Sequence, residues 1–145
     1  MDSFILREVK VTYKNYRKVR SLKFTASSNV YDYWFSKLKN EAYEKMISIH
    51  LNCQNEVICF CFEAEGDISH AAVYTGKIAR NALLTHAARI IFVHNHPSGV
   101  PEPSEQDIAL TKNLKNGLKL LDIEVLDHVV IGDGKFYSFH DHGLI

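Results

Sequence analysis

The run "ARIIFVH", Ala88 to His94, constrains this chain most. Ile90, Ile91, Phe92 and Val93 are consecutive apolar residues, too short a run and too β-branched for a buried helix, so they predict a buried strand. Directly after it come "HNHPSGVPEPSEQD" and a stretch in which Leu110, Leu114, Leu118 and Leu121 recur at helical spacing, predicting a helix from Ser104 to Leu121. "IEVLDHVVIG" then reads as another strand, "DG" as a tight turn and "KFYSF" as its hairpin partner. Helices interspersed with strands in this way imply an α/β layer fold with a mixed sheet.

The upstream half fits the same class. "ILREVKVTY" and "RKVRSLKFT" read as two strands about a "KNY" turn, forming an N-terminal extension over residues 1–25 that packs on the main domain, residues 26–145. "SSN" at 27–29 offers N-cap residues for a helix ending near Asn40, with Val30, Trp34 and Leu38 on one face. "KMISIHLN" alternates as a strand, with Ile47, Ile49 and Leu51 opposite Met46, Ser48 and His50, and "CQN" turns the chain into "EVICFCFEA". "KIARNALLTHA" reads as a helix.

A chain of 145 residues with 46% hydrophobic and 23% charged residues suits one globular domain. No apolar run reaches the roughly 20 residues of a membrane-spanning helix, and "MDSFILREVK" lacks a signal-peptide pattern. Three cysteines without a C-x-x-C pair (Cys53, Cys59, Cys61) suggest reduced thiols and a cytoplasmic location. Net charge is zero, yet residues 1–25 carry seven basic side chains against two acidic ones. Lys14, Arg17 and Lys18 are the candidate nucleic-acid contacts there; a charged outer face on a strand pair accounts for the same residues.

His94 and His96 stand two apart where the buried strand ends, so their imidazoles can converge at its carboxyl end, where α/β folds place ligands. Pro97, Pro101 and Pro103 stiffen the loop that follows. Ser104 opens the helix and Asp107 occupies its first turn; S-x-x-D there reads as a capping box, or as a carboxylate returning to the metal. Two imidazoles and a carboxylate would leave a tetrahedral zinc one open position, the mark of a catalytic site.

These residues, H-x-H followed by seven positions and S-x-x-D, resemble the motif of the JAMM (JAB1/MPN) metalloproteases. With "HNHPSG", "LLDIEVLDHVVIG" and "YSFHDHGLI" the chain resembles the RadC-like branch over about residues 44–145. The resemblance implies a single JAB/MPN-type domain, a mixed sheet flanked by helices in an α/β/α arrangement. It implies one catalytic Zn2+ held by His94, His96 and Asp107, with Ser104 hydrogen-bonding the water and the developing oxyanion. It also requires an upstream glutamate as general acid/base. The residues alone leave Glu41, Glu44, Glu56, Glu63 and Glu65 open; the family pattern selects Glu44 in "YEKMISIHLN". The implied reaction is hydrolysis of a peptide, isopeptide or related amide bond in a peptide or protein conjugate. Where the branch commonly has "PRE" before the zinc strand this chain has Thr75, Gly76 and Lys77, which touches the cleft rather than the ligands. The basic segment stands where longer relatives often carry a helix-hairpin-helix region.

Rival readings fare worse. The letters "HNH" are consecutive here, whereas in HNH endonucleases those residues are dispersed; zinc deaminases need H-x-E with P-C-x-x-C. His140 and His142 read as tail residues, His50, His70 and His86 as surface or core histidines, and Cys59 and Cys61 as packing residues. His128 reads as structural or as a contact behind the ligands. The alternative function is a RadC-like, DNA-repair-associated or nucleic-acid-binding accessory protein that keeps the fold without the peptidase activity.

Overall fold

The computed structural model describes residues 21–67, 73 and 75–145. Among them the order is α1 (Ser27–Leu38), β1 (Lys45–Leu51), β2 (Val57–Glu65), α2 (Thr75–Leu84), β3 (Arg89–Asn95), α3 (Glu105–Lys119), β4 (Glu124–Ile131) and β5 (Phe136–Ser138). The strands form one mixed sheet in the order β2-β1-β3-β4-β5, with β3 and β4 parallel and the other neighbours antiparallel.

Each face of the sheet has its own core. Trp34, Val30 and Leu38 of α1 pack with Ile47, Ile49, Leu51, Ile91, Val93, Val129 and Ile131 on one side. On the other, Ile78 and Ala82 of α2 and Leu114 and Leu118 of α3 pack with Met46, Ile90, Phe92 and Val125. This is the α/β/α layering expected, and it explains why β3 is apolar at successive positions: alternate side chains serve opposite cores. The "CQN" turn is held by Asn52, whose side-chain oxygen accepts from the backbone N–H of Gln54 and Glu56.

Two local expectations are corrected. Ser27 is the first residue of α1 rather than its cap; Ala26 is the N-cap and no side chain caps the end. Asn29 instead accepts from the backbone and hydroxyl of Thr25. α3 stops at Lys119, so of the leucine stripe Leu114 and Leu118 are buried and Leu110 packs half-buried beside them, while Leu121 lies beyond the helix at 41% exposure; Asp107 and Thr111 complete the inward face. The first two turns of α3 lie over a polar centre, so an aspartate and a threonine take the inward positions. Of the N-terminal extension, only residues 21–25 are described: Lys23 bridges Glu56 and Phe24 joins the α1 core. Lys14, Arg17 and Lys18 lie outside the described residues, as does His70.

The topology gathers one end of the molecule. Asn95 and Ile131 end the parallel pair side by side, β1 starts beside them, and α3 begins there. The intervening loop is fixed against the β4–β5 turn: Asp133 N–H donates to the Gly99 carbonyl, and His96 N–H to that of Ile131. A Cβ at Gly132 would stand 2.5 Å from the Gly99 carbonyl oxygen, so only glycine permits this approach.

Candidate metal centre

His94 is the last inward residue of β3, fully buried between Met46 of β1 and Val130 of β4. His96 stands just past the strand and Asp107 in the first turn of α3, 3% exposed. The two Nε2 atoms are 2.9 Å apart, His94 Nε2 is 3.6 Å from Asp107 Oδ1, and His96 Nε2 is 3.4 Å from Asp107 Oδ2. Zinc bonds of about 2.0–2.1 Å to nitrogen and oxygen imply tetrahedral edges of roughly 3.3 Å, the size of this triangle.

The hydrogen bonds around the rings decide what each nitrogen presents. His96 Nδ1 lies 2.7 Å from the Val100 carbonyl oxygen, which can only accept, so Nδ1 carries the proton. Behind His94 stands His128, 2.7 Å from His94 Nδ1 through its own Nε2. Burial, then the neighbouring His94, holds His128 well below the usual histidine range, so its ring is neutral with a single donor. The Thr111 hydroxyl donates to the Asp107 carbonyl and therefore accepts from His128 Nδ1. That leaves His128 Nε2 as an acceptor, and His94 Nδ1–H donates to it. Both ligand rings, when neutral, thus turn an Nε2 lone pair toward the other and toward a carboxylate. Such a facing arrangement is repulsive unless a proton or a cation sits between, which is the fit expected of a metal site. In the metal-free chain a proton competes for that place: burial disfavours charge on His96, but its hydrogen bonds to Asp107 and Val100 leave its pKa raised.

Ser104 and Asp107 do two things at once. They form the complete capping box of α3, Ser104 Oγ accepting from Asp107 N–H and Asp107 Oδ2 from Ser104 N–H. The same carboxylate faces both imidazoles, so cap and ligand are not alternatives. The cap bond uses Ser104 Oγ as an acceptor and leaves its O–H able to donate. Glu44 lines a cavity of about 260 Å³ together with His96, Ser98, Ser104, Gln106 and Asp107. A larger cavity of about 620 Å³, lined by Lys115, Lys119 and His140 among others, holds none of the five expected site residues.

Two residues in this machinery carried no signal in the sequence reading. Asn95, the middle of "HNH", accepts from Lys45 N–H at 2.8 Å and donates to the Tyr43 carbonyl at 3.1 Å, clamping the backbone on both sides of Glu44. Thr111 sets the His128 tautomer. Their roles depend on strand and helix register, which no local pattern states. His142, by contrast, stacks on Tyr137 and bonds the Ser138 carbonyl. Replacing His128 by Leu would leave His94 Nδ1 and Thr111 without their partner, and the triad's affinity for a divalent metal is expected to fall about 10–100-fold with all three candidate ligands intact. Competition against a chromophoric chelator measures it; unchanged affinity would refute the relay.

Comparison with known proteins agrees with this geometry. A family model for the RadC-like JAB domain matches residues 24–144. A UPF0758 protein of Methanosarcina mazei is 36% identical over 123 residues, 85% of this chain and 54% of the relative. One from Saccharophagus degradans is 41% identical over 121 residues (83% and 54%), and one from Cellvibrio japonicus 42% over 114 (79% and 51%). The chain spans about half the length of these curated relatives. Among the described residues no helix is long and apolar enough to cross a membrane. A single mixed-sheet domain with a candidate metal triad at the strand ends, matched over nearly its whole length, belongs to the RadC-like JAB-domain family.

Proposed function

We propose that the chain is a zinc-dependent hydrolase of the JAMM type that cleaves a peptide, isopeptide or related amide bond. The observation that supports it best is the pair of facing Nε2 lone pairs beside the buried Asp107 carboxylate, at the wall of a cavity that also presents Glu44 and Ser104. His94, His96 and Asp107 would hold the ion, and the donor set of two imidazoles and a carboxylate leaves room for a fourth ligand. When bound, zinc supplies Lewis acidity, polarising a carbonyl and making water acidic enough to react near neutral pH.

The remaining steps belong to the chain. Glu44, half-buried and lining the same cavity as His96, takes a proton from the attacking water as oxygen bonds to the amide carbon. The Ser104 hydroxyl donates to the carbonyl oxygen as it gains negative charge. Glu44 then returns the proton to the leaving nitrogen as the C–N bond breaks, giving a carboxylic acid and an amine. His94 and His96 keep their Nδ1 protons on His128 and Val100 throughout, so neither ring reorients during the reaction.

The test is to strip the purified chain of metal, reload it with zinc, and assay it against linear peptides and ubiquitin-like isopeptide conjugates. Zinc-dependent release of an amine from one substrate class is the expected result. A chain that binds one zinc tightly and hydrolyses neither class would refute the hydrolase reading.

A further inference from the structure

A second group of metal-binding side chains lies on the same face of the sheet, away from the first. β1 and β2 pair so that His50 stands opposite Cys59 and Ser48 opposite Cys61, which puts all four side chains on the α2 side. His50 is fully buried, and Cys59 and Cys61 are half-buried on β2, an edge strand of the described sheet. One ligand atom from each of His50, Cys59 and Cys61 falls within 4.8 Å of the other two. Met46 pairs with His94, so His50 lies four residues along β1 from the first centre, roughly 13 Å away.

We propose that His50, Cys59 and Cys61 form a second site, for a thiophilic divalent cation such as zinc, separate from the His94–His96–Asp107 centre.

Three observations support it. The two sulfurs are 3.9 Å apart. Zinc–sulfur bonds of about 2.3 Å imply a tetrahedral edge of roughly 3.8 Å. The imidazole is oriented as metal-ligating histidines are: Thr85 Oγ1 donates to the Ala82 carbonyl and so accepts from His50 Nδ1–H at 2.7 Å. Nε2 is the remaining nitrogen; it now faces Ser48 Oγ at 3.0 Å, whose hydroxyl donates to the buried Glu63 carboxylate, so Nε2 must give up that contact to bind an ion. Finally, both cysteines are only half-buried on the edge strand, so an ion can reach them from solvent without opening the sheet. On binding, both sulfur protons and any proton on Nε2 pass to solvent, and the half-exposed cysteines leave a fourth position for water.

A disulfide is the competing chemistry for this pair. Residues two apart on one strand have Cα atoms about 6.6 Å apart, near the far limit for a disulfide, and the sulfurs would have to close to about 2.05 Å. A metal uses the spacing as it stands.

The experiment is anaerobic cobalt titration of the reduced, metal-free 145-residue chain, with cobalt standing for zinc. Two equivalents are expected, one of them giving thiolate-to-cobalt charge-transfer absorption. A Cys59→Ser/Cys61→Ser variant should lose that absorption and one equivalent but keep the other. A His94→Ala/Asp107→Ala variant should keep the absorption and lose the other equivalent. Wild-type protein that shows no charge-transfer band overturns the proposal without recourse to any variant's folding. So does a band that survives in the double-serine variant, or air oxidation that consumes both thiols as a reductant-reversible disulfide even when cobalt is present in excess.

Discussion

Replacing Glu44 by Gln is expected to lower amide hydrolysis by the zinc-loaded chain about 10²- to 10⁴-fold while the metal stays in place. The separation follows from geometry. Glu44 faces the cavity beside His96 and Asp107 but is not one of the three side chains whose ligand atoms converge. Its backbone is pinned by Asn95 and by Gly66 N–H donating to the Glu44 carbonyl, so an amide at this position occupies the same place without a basic oxygen. Measuring kcat/KM alongside elemental metal content resolves the two effects. Full activity in Glu44→Gln removes the residue from the mechanism; loss of zinc would make it a ligand. A nucleic-acid accessory protein would be indifferent to this change. It would lose DNA affinity, with a steep salt dependence, when Lys14, Arg17 and Lys18 are neutralised.

How much of this was legible in the sequence depends on the range of the interaction. The β3 run, the histidines two apart and the S-x-x-D on a helix start are local patterns, and strand and helix periodicity convert them directly into direction. So residues 94–107 alone bring the two histidines together but leave Asp107 open between helix cap and ligand; family resemblance chose the ligand. Glu44 could not be read locally, because nothing in its neighbourhood distinguishes it from four other glutamates; only family resemblance chose it. Thr111 and Asn95 became visible only through pairing, which also decides between the two readings of His128: β3 beside β4 puts it behind His94, and α3 crossing above supplies Thr111. The leucine stripe was incomplete for a related reason. Helical spacing reports which residues share a face, but the polar centre under the start of α3 decided that Asp107 and Thr111 take the inward face there. Cys59 and Cys61 read as packing because the register that sets His50 opposite Cys59 is a property of the hairpin, not of either strand.

Asp107 offers the sharpest separation of folding from chemistry, since one carboxylate serves both. Asp107→Asn keeps an oxygen that can accept from Ser104 N–H, so the capping box survives, but it removes the negative charge facing two imidazoles. Asp107→Ala removes both. Zinc affinity is expected to fall by more than about 100-fold in either variant, beyond the 10–100-fold of an outer hydrogen-bond partner. The metal-free alanine variant should be about 1 kcal/mol less stable than the asparagine one, the usual net cost of one lost hydrogen bond, here from Ser104 N–H to the residue-107 side chain. Acid adds a second signature. Burial resists ionisation of Asp107, yet hydrogen bonding with His94 and then His96 holds its pKa well below the ordinary carboxylate value. With the folded pKa depressed, the metal-free wild type is stabilised above about pH 4, where the unfolded carboxyl is ionised, and loses that stability as the pH falls further. Asp107→Asn has no carboxyl to titrate and should show a shallower acid decline in denaturant midpoint. With Cys59 and Cys61 also changed to Ser, an Asp107→Asn variant that still binds zinc tightly would reduce Asp107 to a helix cap, and the hydrolytic centre would lack its third ligand.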